Sequence, residues 1–194
     1  KVLKRLTLLN KNYPMKNPRC NHQNFLRGFE GSKKEADLIY NIIKDGVIDL
    51  GLVFFGGYAS KVYSKYMNPQ IKRKFNKLTN PDFDILSMDP EASATILCEK
   101  LERAGLKKVK KIKRSEIGEI ISPHWEIRVN NDTVCFIYEP LACHSYNEVE
   151  MDGKIVKVAT IDTMLSFYLA FLFADRPYYD KDRIYCMSQY LYAV

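Results

Sequence analysis

The chain has 194 residues, with 30 Lys+Arg against 23 Asp+Glu for a formal net charge of +7, and is 46% hydrophobic and 27% charged. This excludes wholesale disorder and a strongly acidic protein, and bounds the chain at one ordinary domain or two small ones. The longest apolar run, residues 164–174, contains Ser166 and falls short of the ~20 residues a bilayer-spanning helix needs; no basic region followed by an apolar one opens the chain, so neither a membrane span nor a secretory signal is expected.

In chain order, residues 1–28 are basic, carry Pro14 and Pro18, and predict an irregular arm, leaving 29–194 as the core. Ser32-x-x-Glu35 is a capping box and opens a helix over 32–45, with Ala36, Ile39, Tyr40 and Ile43 on one face and Gly46 as its stop. Residues 48–55 predict a strand, Gly56-Gly57 a turn, 58–67 a helix and 68–80 a basic loop. A short strand follows over 82–86. Asp89-Pro90 is an N-cap followed by proline at the first helical position, and that helix runs to about Ala104 and ends at Gly105. Strands are predicted over 107–114, 124–130 and 133–139, the last two joined by Asn130-Asn131-Asp132, and again over 154–158. Thr160 or Asp162 caps a strongly apolar helix to about Phe173, and Asp180 caps a final one. Helices interleaved with strands give an α/β (α+β) fold, a mixed sheet flanked by helices. There is no internal repeat. The chain begins at Lys1 rather than Met, which predicts a processed or excised piece.

The positive charge is unevenly placed. Residues 1–114 carry 24 basic and 11 acidic side chains, and residues 115–194 carry 6 basic and 12 acidic. Residues 61–79 hold six basic side chains and no acid, and 107–114 read KKVKKIKR. Such runs suit a phosphate backbone, and equally a solvated face. Five cysteines (Cys20, Cys98, Cys135, Cys143, Cys186) include no C-x-x-C pair; the set predicts reduced thiols in a reducing compartment, without a disulfide framework or a zinc site.

The chemistry concentrates in Phe54-Phe55-Gly56-Gly57-Tyr58-Ala59-Ser60-Lys61 and Pro81-Asp82-Phe83-Asp84-Ile85-Leu86. Alternate strand residues share a face, so Asp82 and Asp84 project together. Two adjacent carboxylates repel unless a cation lies between them, and magnesium prefers such oxygen ligands. The glycine pair lets the backbone approach a triphosphate closely, and the N-terminus of the following helix favours its charge. Ser60 adds a hydroxyl and Lys61 a charge. Each half alone is weak, but the order strand, Gly-Gly, helix, Asp-x-Asp, about 25 residues apart, is specific.

This stretch resembles the hydrophobic-Gly-Gly/Ser … Asp-hydrophobic-Asp signature of the DNA polymerase β-like nucleotidyltransferase superfamily. The wider runs FFGGYASKVYSKYM, NPDFDILSMDPE, IYEPLACHSYN and KVATIDTMLSFYLAFLF are similar to the catalytic subunits of poly(A) polymerases of large DNA viruses, such as poxviruses, African swine fever virus and giant viruses. The resemblance covers residues 30 to 185; members of the family are considerably longer, so the chain is expected to be a catalytic core or a fragment. It implies a nucleotidyltransferase-like fold and template-independent transfer of AMP from ATP to the 3′-hydroxyl of mRNA with release of pyrophosphate. Gly56, Gly57 and Ser60 would hold the nucleotide phosphates. Asp82 and Asp84 would hold Mg²⁺ (or Mn²⁺), with a third carboxylate from Glu126 in Trp125-Glu126-Ile127 or Glu139 in Tyr138-Glu139-Pro140, of which Glu126 is preferred. The family more often has Asp there. The implied partners are ATP, an RNA 3′ end, and a stimulatory subunit or a second copy, with no membrane, in a cytoplasmic setting (host cytoplasm or virion). The basic segments 61–79 and 107–114 would track RNA, and Asp162-Thr163 would lie near the base or ribose. The alternatives are a CCA-adding, oligoadenylate-type or small-molecule adenylyltransferase, and a non-catalytic RNA-binding subunit that kept the fold.

Overall fold

The structure, a computed structural model, describes residues 20, 29, 31–77, 80–81, 83–141, 144–174, 176, 179–192 and 194. The expected arm 1–28, apart from Cys20, lies outside these, and so does Asp82. The elements run α1 (Lys33–Asp49), β1 (Val53–Phe55), α2 (Gly56–Tyr63), a 3₁₀ turn (Ser64–Tyr66), α3 (Pro69–Asn76), β2 (Phe83–Leu86), α4 (Pro90–Arg103), β3 (Val109–Arg114), β4 (His124–Val129), β5 (Asp132–Tyr138), β6 (Tyr146–Met151), β7 (Lys154–Ala159), α5 (Ile161–Ala174) and α6 (Lys181–Leu191). The fold is α/β, as the element pattern predicts.

The caps form as the sequence directs. Ser32 Oγ accepts from the Glu35 N–H at 3.2 Å, Asp89 Oδ1 from Ala92 at 3.0 Å and Asp180 Oδ1 from Arg183 at 3.0 Å. Gly46, however, does not stop α1. It is buried, and a Cβ there would stand 2.5 Å from Leu97 Cδ2, so its bare backbone lets α1 lie against α4. The helix ends instead before Gly51, at φ +64, with the Leu52 N–H returning to Val47 O, so the strand expected from 48 begins only at Val53. The basic loop contains α3. Asn68 Oδ1 accepts from the Ile71 N–H at 3.0 Å, Pro69 stands at the first helical position, and Phe75 is fully buried against the Tyr190 ring at 5.9 Å.

Seven strands form one mixed sheet in the order β3-β4-β5-β2-β1-β7-β6. β2 runs antiparallel to β1 and parallel to β5, while β7 runs parallel to β1. The sequence pattern does not predict β6. It pairs antiparallel with β7 across Asp152-Gly153, both with positive φ (52° and 73°), as a tight hairpin requires. Residues paired across strands share a face. On one face Phe54, Phe83 and Ile85 are buried, with Tyr40 of α1 stacked on Phe83 at 5.1 Å. On the other, α5 covers Phe55 and Tyr138, with ring centroids at 4.8 Å (Phe55–Phe167) and 5.6 Å (Tyr138–Phe171).

One expectation is corrected outright. Cys20 and Cys186 form a disulfide, their Cα atoms 5.2 Å apart across a sequence separation of 166, and Tyr190 Oη donates to Cys20 O beside it. The pair meets only through tertiary packing, so spacing could not reveal it. Cys98 and Cys135 stay reduced, and burial pushes the Cys98 thiol up to about 11, with the Glu102 charge adding to it. Among the described residues no helix is long and apolar enough to cross a membrane.

Candidate active site

The end of β1 decides the site. Phe55 and Asp84 are register partners on neighbouring strands, so Asp84 projects beside the point where the chain turns into α2. That turn is Gly56, at φ +63. A Cβ on Gly56 would lie 2.0 Å from Asp84 Oδ2 and 2.8 Å from its Cγ. Both the left-handed backbone and the close approach therefore demand glycine. The glycine pair is not a separate turn before a helix. Gly56 and Gly57 are themselves the first residues of α2, and no described side chain caps it. Its first-turn N–H groups have no partners within the helix and favour an anion.

Gly56, Gly57 and Asp84 line one cavity, walled by Phe136 and Tyr138 of β5 and Tyr168 and Phe171 of α5. Its rim is completed from α6, whose first turn supplies Arg183 after the cap residue Asp180. Sequence reasoning uses Asp180 only as a cap and passes over Arg183. A guanidinium three residues beyond a helix cap carries no local signal, and only the return of α6 to the sheet brings it to the glycine pair.

The other expected residues divide. Ser60 is buried, with its Oγ 3.5 Å from Tyr168 Oη, and so touches the wall of the cavity rather than its floor. Lys61 points to a different cavity, shared with Lys44, Tyr58, Lys65 and Lys72, and burial holds its ammonium below the usual range. Ser60 and Lys61, one apart on α2, diverge by about 100°, which is why Ser60 meets Tyr168 while Lys61 opens on a different space. Glu139, beyond the end of β5, is exposed and lines a third cavity with Asp162 and Thr163. Thr163 Oγ1 accepts from the Ser145 N–H at 3.2 Å and serves the start of α5. Neither Glu139 nor Asp162 joins Asp84. Asp82 lies outside the described residues.

Glu126 does share the face of Asp84. Both are register partners of Phe136, one on each side of β5. Two strand spacings separate their backbones by roughly 10 Å, and the Phe136 ring stands between. The Glu126 side chain is 1% exposed and its oxygens are engaged. Oε2 accepts from Arg114 Nε at 2.8 Å and from Nη2, and Oε1 from Arg128 Nε at 2.5 Å and from Thr133 Oγ1. Burial alone would raise its pKa, but the hydrogen bonds from Thr133, Arg128 and Arg114 and the Arg114 charge outweigh it and hold the carboxyl below the usual range. Among the described residues no three His, Cys, Asp or Glu side chains gather as a metal-binding group.

No family model matches the sequence, and no curated protein does. Among solved structures, the crystal structure of the Megavirus polyadenylate synthase superposes with a TM-score of 0.62 at 22% identity, over 98% of this chain and 36% of that one. The chain thus spans about a third of that protein's length. An antigenic nucleotidyltransferase-like protein from Paracoccidioides brasiliensis matches at TM-score 0.44 and 15% identity, over 82% of this chain and 76% of that one. ANT(2″)-Ia in complex with adenylyl-2″-tobramycin matches at 0.43 and 14%, over 81% and 87%. The first of these likenesses establishes the fold as nucleotidyltransferase-like.

Proposed function

We propose that the chain is the catalytic core of a template-independent poly(A) polymerase, transferring AMP from ATP to an RNA 3′-hydroxyl with release of pyrophosphate. The observation that carries the reading is the close approach of Gly56 to Asp84. A residue without a side chain is placed where any Cβ would strike a carboxylate oxygen, at the uncapped start of a helix. Carboxylate and phosphate-binding backbone are thereby held side by side, the arrangement nucleotidyl transfer needs. The fold shared with a polyadenylate synthase supports it.

Carboxylate oxygens suit a divalent ion of the magnesium type, which Asp84, together with Asp82 two residues before it in sequence, would hold. Such ions, when bound, lower the pKa of an attacking hydroxyl and neutralise charge on departing pyrophosphate. Gly56 and Gly57 present backbone N–H groups to the phosphates, and the α2 dipole favours their charge. Arg183 adds a cation to the lining of the same cavity. Phe136, half-buried, offers a ring to a base, while Tyr138 and Phe171, buried and stacked on His124 and Tyr179, keep water from the reacting atoms. Glu126 does not fit as a third ligand where it stands, because both its oxygens are occupied by Arg114, Arg128 and Thr133. No step is assigned to it.

The test is extension of an RNA primer with each nucleoside triphosphate singly, in the presence of Mg²⁺. A homopolymer tail with ATP alone is expected. Equal use of CTP would move the reading to a CCA-adding type, and adenylation of a small hydroxylated acceptor without tailing would move it to a small-molecule adenylyltransferase. RNA binding with no transfer at all would leave a non-catalytic subunit.

A further inference from the structure

We infer that Glu126 is a positioning residue for Arg114 and Arg128, and that this guanidinium pair receives the backbone phosphates of a single-stranded RNA as it approaches the Asp84 cavity across the open end of the sheet. The inference rests on the nucleotidyl-transfer reading above for the identity of the strand, and on geometry for the site.

A carboxylate 1% exposed and bonded by two arginines would be an ordinary structural ion cluster if the arginines were buried with it. They are not. Their side chains are 38% and 36% exposed. Each gives Nε to the carboxylate, and Arg114 also one N–H of Nη2. The remaining N–H groups of both forks have no other partner among the described residues. Glu126 thus holds each guanidinium by one edge and leaves its other donors outward. This is how a protein pre-orients arginine for a phosphate, since a planar fork fixed on one side loses little freedom when a ligand takes the other. Thr133 Oγ1 fills a remaining acceptor position and locks the carboxylate.

The placement gives direction. Glu126, Phe136 and Asp84 are register partners in one row on one face. Arg128 is two residues on from Glu126 in β4, and Arg114 of β3 pairs with His124 of β4, two residues before Glu126, so both stand on that face. The row reads carboxylate of the reacting centre, aromatic ring, then cations. A strand whose terminal hydroxyl lies at Asp84 can lay a base against Phe136 and bring its next phosphates to the guanidiniums held at Glu126, whose backbone stands roughly 10 Å from that of Asp84 by two strand spacings. Lys110, also on β3, continues the charge along the same edge.

The test measures binding of a fluorescein-labelled oligoadenylate by anisotropy, without metal or ATP, across a salt series, with thermal melts to confirm folding. Arg114→Ala with Arg128→Ala is expected to weaken binding about tenfold or more and to flatten the dependence of log K on log[salt] by about 0.7 for each phosphate that is no longer neutralised. Lysine at both positions is expected to restore the salt slope but not the full affinity, because charge returns and the oriented fork does not. Glu126→Gln is expected to weaken metal-free binding and to raise the KM for primer more than it lowers kcat. Unchanged affinity and slope in the alanine pair would overturn the inference. So would a Glu126→Gln variant with intact RNA binding and abolished kcat, the result expected of a metal ligand. If the wild-type chain binds the oligoadenylate through these arginines but extends no primer, the activity reading fails and this surface stands.

Discussion

Two carboxylates on one face of the sheet meet opposite fates because of their neighbours. Asp84 stands against a glycine whose bare backbone makes room for it, while Glu126 stands among donors that consume its oxygens. The first is set beside backbone suited to phosphate, and the second is satisfied by side chains of its own sheet. Satisfaction has a consequence for stability. The Glu126 carboxyl is held below its ordinary value of 4.5, so the unfolded chain binds its proton more readily than the folded one. The stabilisation is full above about 4.5 and is lost as pH falls through the lowered folded value. His124, fully buried and stacked on Tyr138 at 4.6 Å, is held below 6.5 by burial, and contributes a loss of the same sign that begins nearer neutrality. Thermal midpoints of the wild type and Glu126→Gln, taken between pH 7 and pH 3, separate the two. The variant is expected to be less stable at neutral pH and to approach the wild type as pH falls from about 4.5 through the lowered folded value. A constant gap across the range would show that the charge of Glu126 is not what the two arginines stabilise.

At the scale of elements, the caps are legible in the sequence and the glycines are ambiguous. Ser32, Asp89 and Asp180 all cap the helices assigned to them, because a side-chain acceptor before an apolar repeat is a local signal. Gly46 misleads because a stop and a packing position look alike in sequence, and only Leu97 of α4, 51 residues away, distinguishes them. Two elements have signals that are outweighed. Asn68-Pro69 starts α3 within a run whose charge argues for a loop, and Asp152-Gly153 turns the β6–β7 hairpin after a strand too exposed to alternate clearly. At the site, the strand-glycine-helix order points to Gly56, Gly57 and Asp84, and these three line one cavity. Spacing could not show that Lys61 turns away, that β5 puts Phe136 rather than an acid beside Asp84, or that α6 returns Arg183 to the rim. Those facts belong to the sheet order and to helix rotation, neither of which one sequence states.

Over the whole molecule, the Cys20–Cys186 bond ties a residue near the start of the chain to α6, the helix that carries Arg183. A cross-link closing a loop of this length is worth about 2–5 kcal/mol, chiefly by restricting the unfolded chain. Reduction with a dithiol, or Cys186→Ser, is expected to lower the thermal midpoint and to raise the KM for ATP more than it lowers kcat, because α6 loses an anchor beside the site. A reduced protein with an unchanged midpoint would mean that the packing of Tyr190 and Phe75 holds α6 without the bond. The chain also aligns with only 36% of the Megavirus polyadenylate synthase, and its cavity is lined, among the described residues, from the sheet, α2, α5 and α6.

In the proposed reaction, Asp84, set against Gly56, is where nucleotidyl transfer takes place. Incorporation of radiolabelled AMP into an RNA primer by the wild type and by Asp84→Asn, at matched thermal stability, tests it most directly. A loss of about a thousandfold or more is expected in the variant, with RNA affinity retained. Incorporation by Asp84→Asn within a few-fold of the wild type would contradict it.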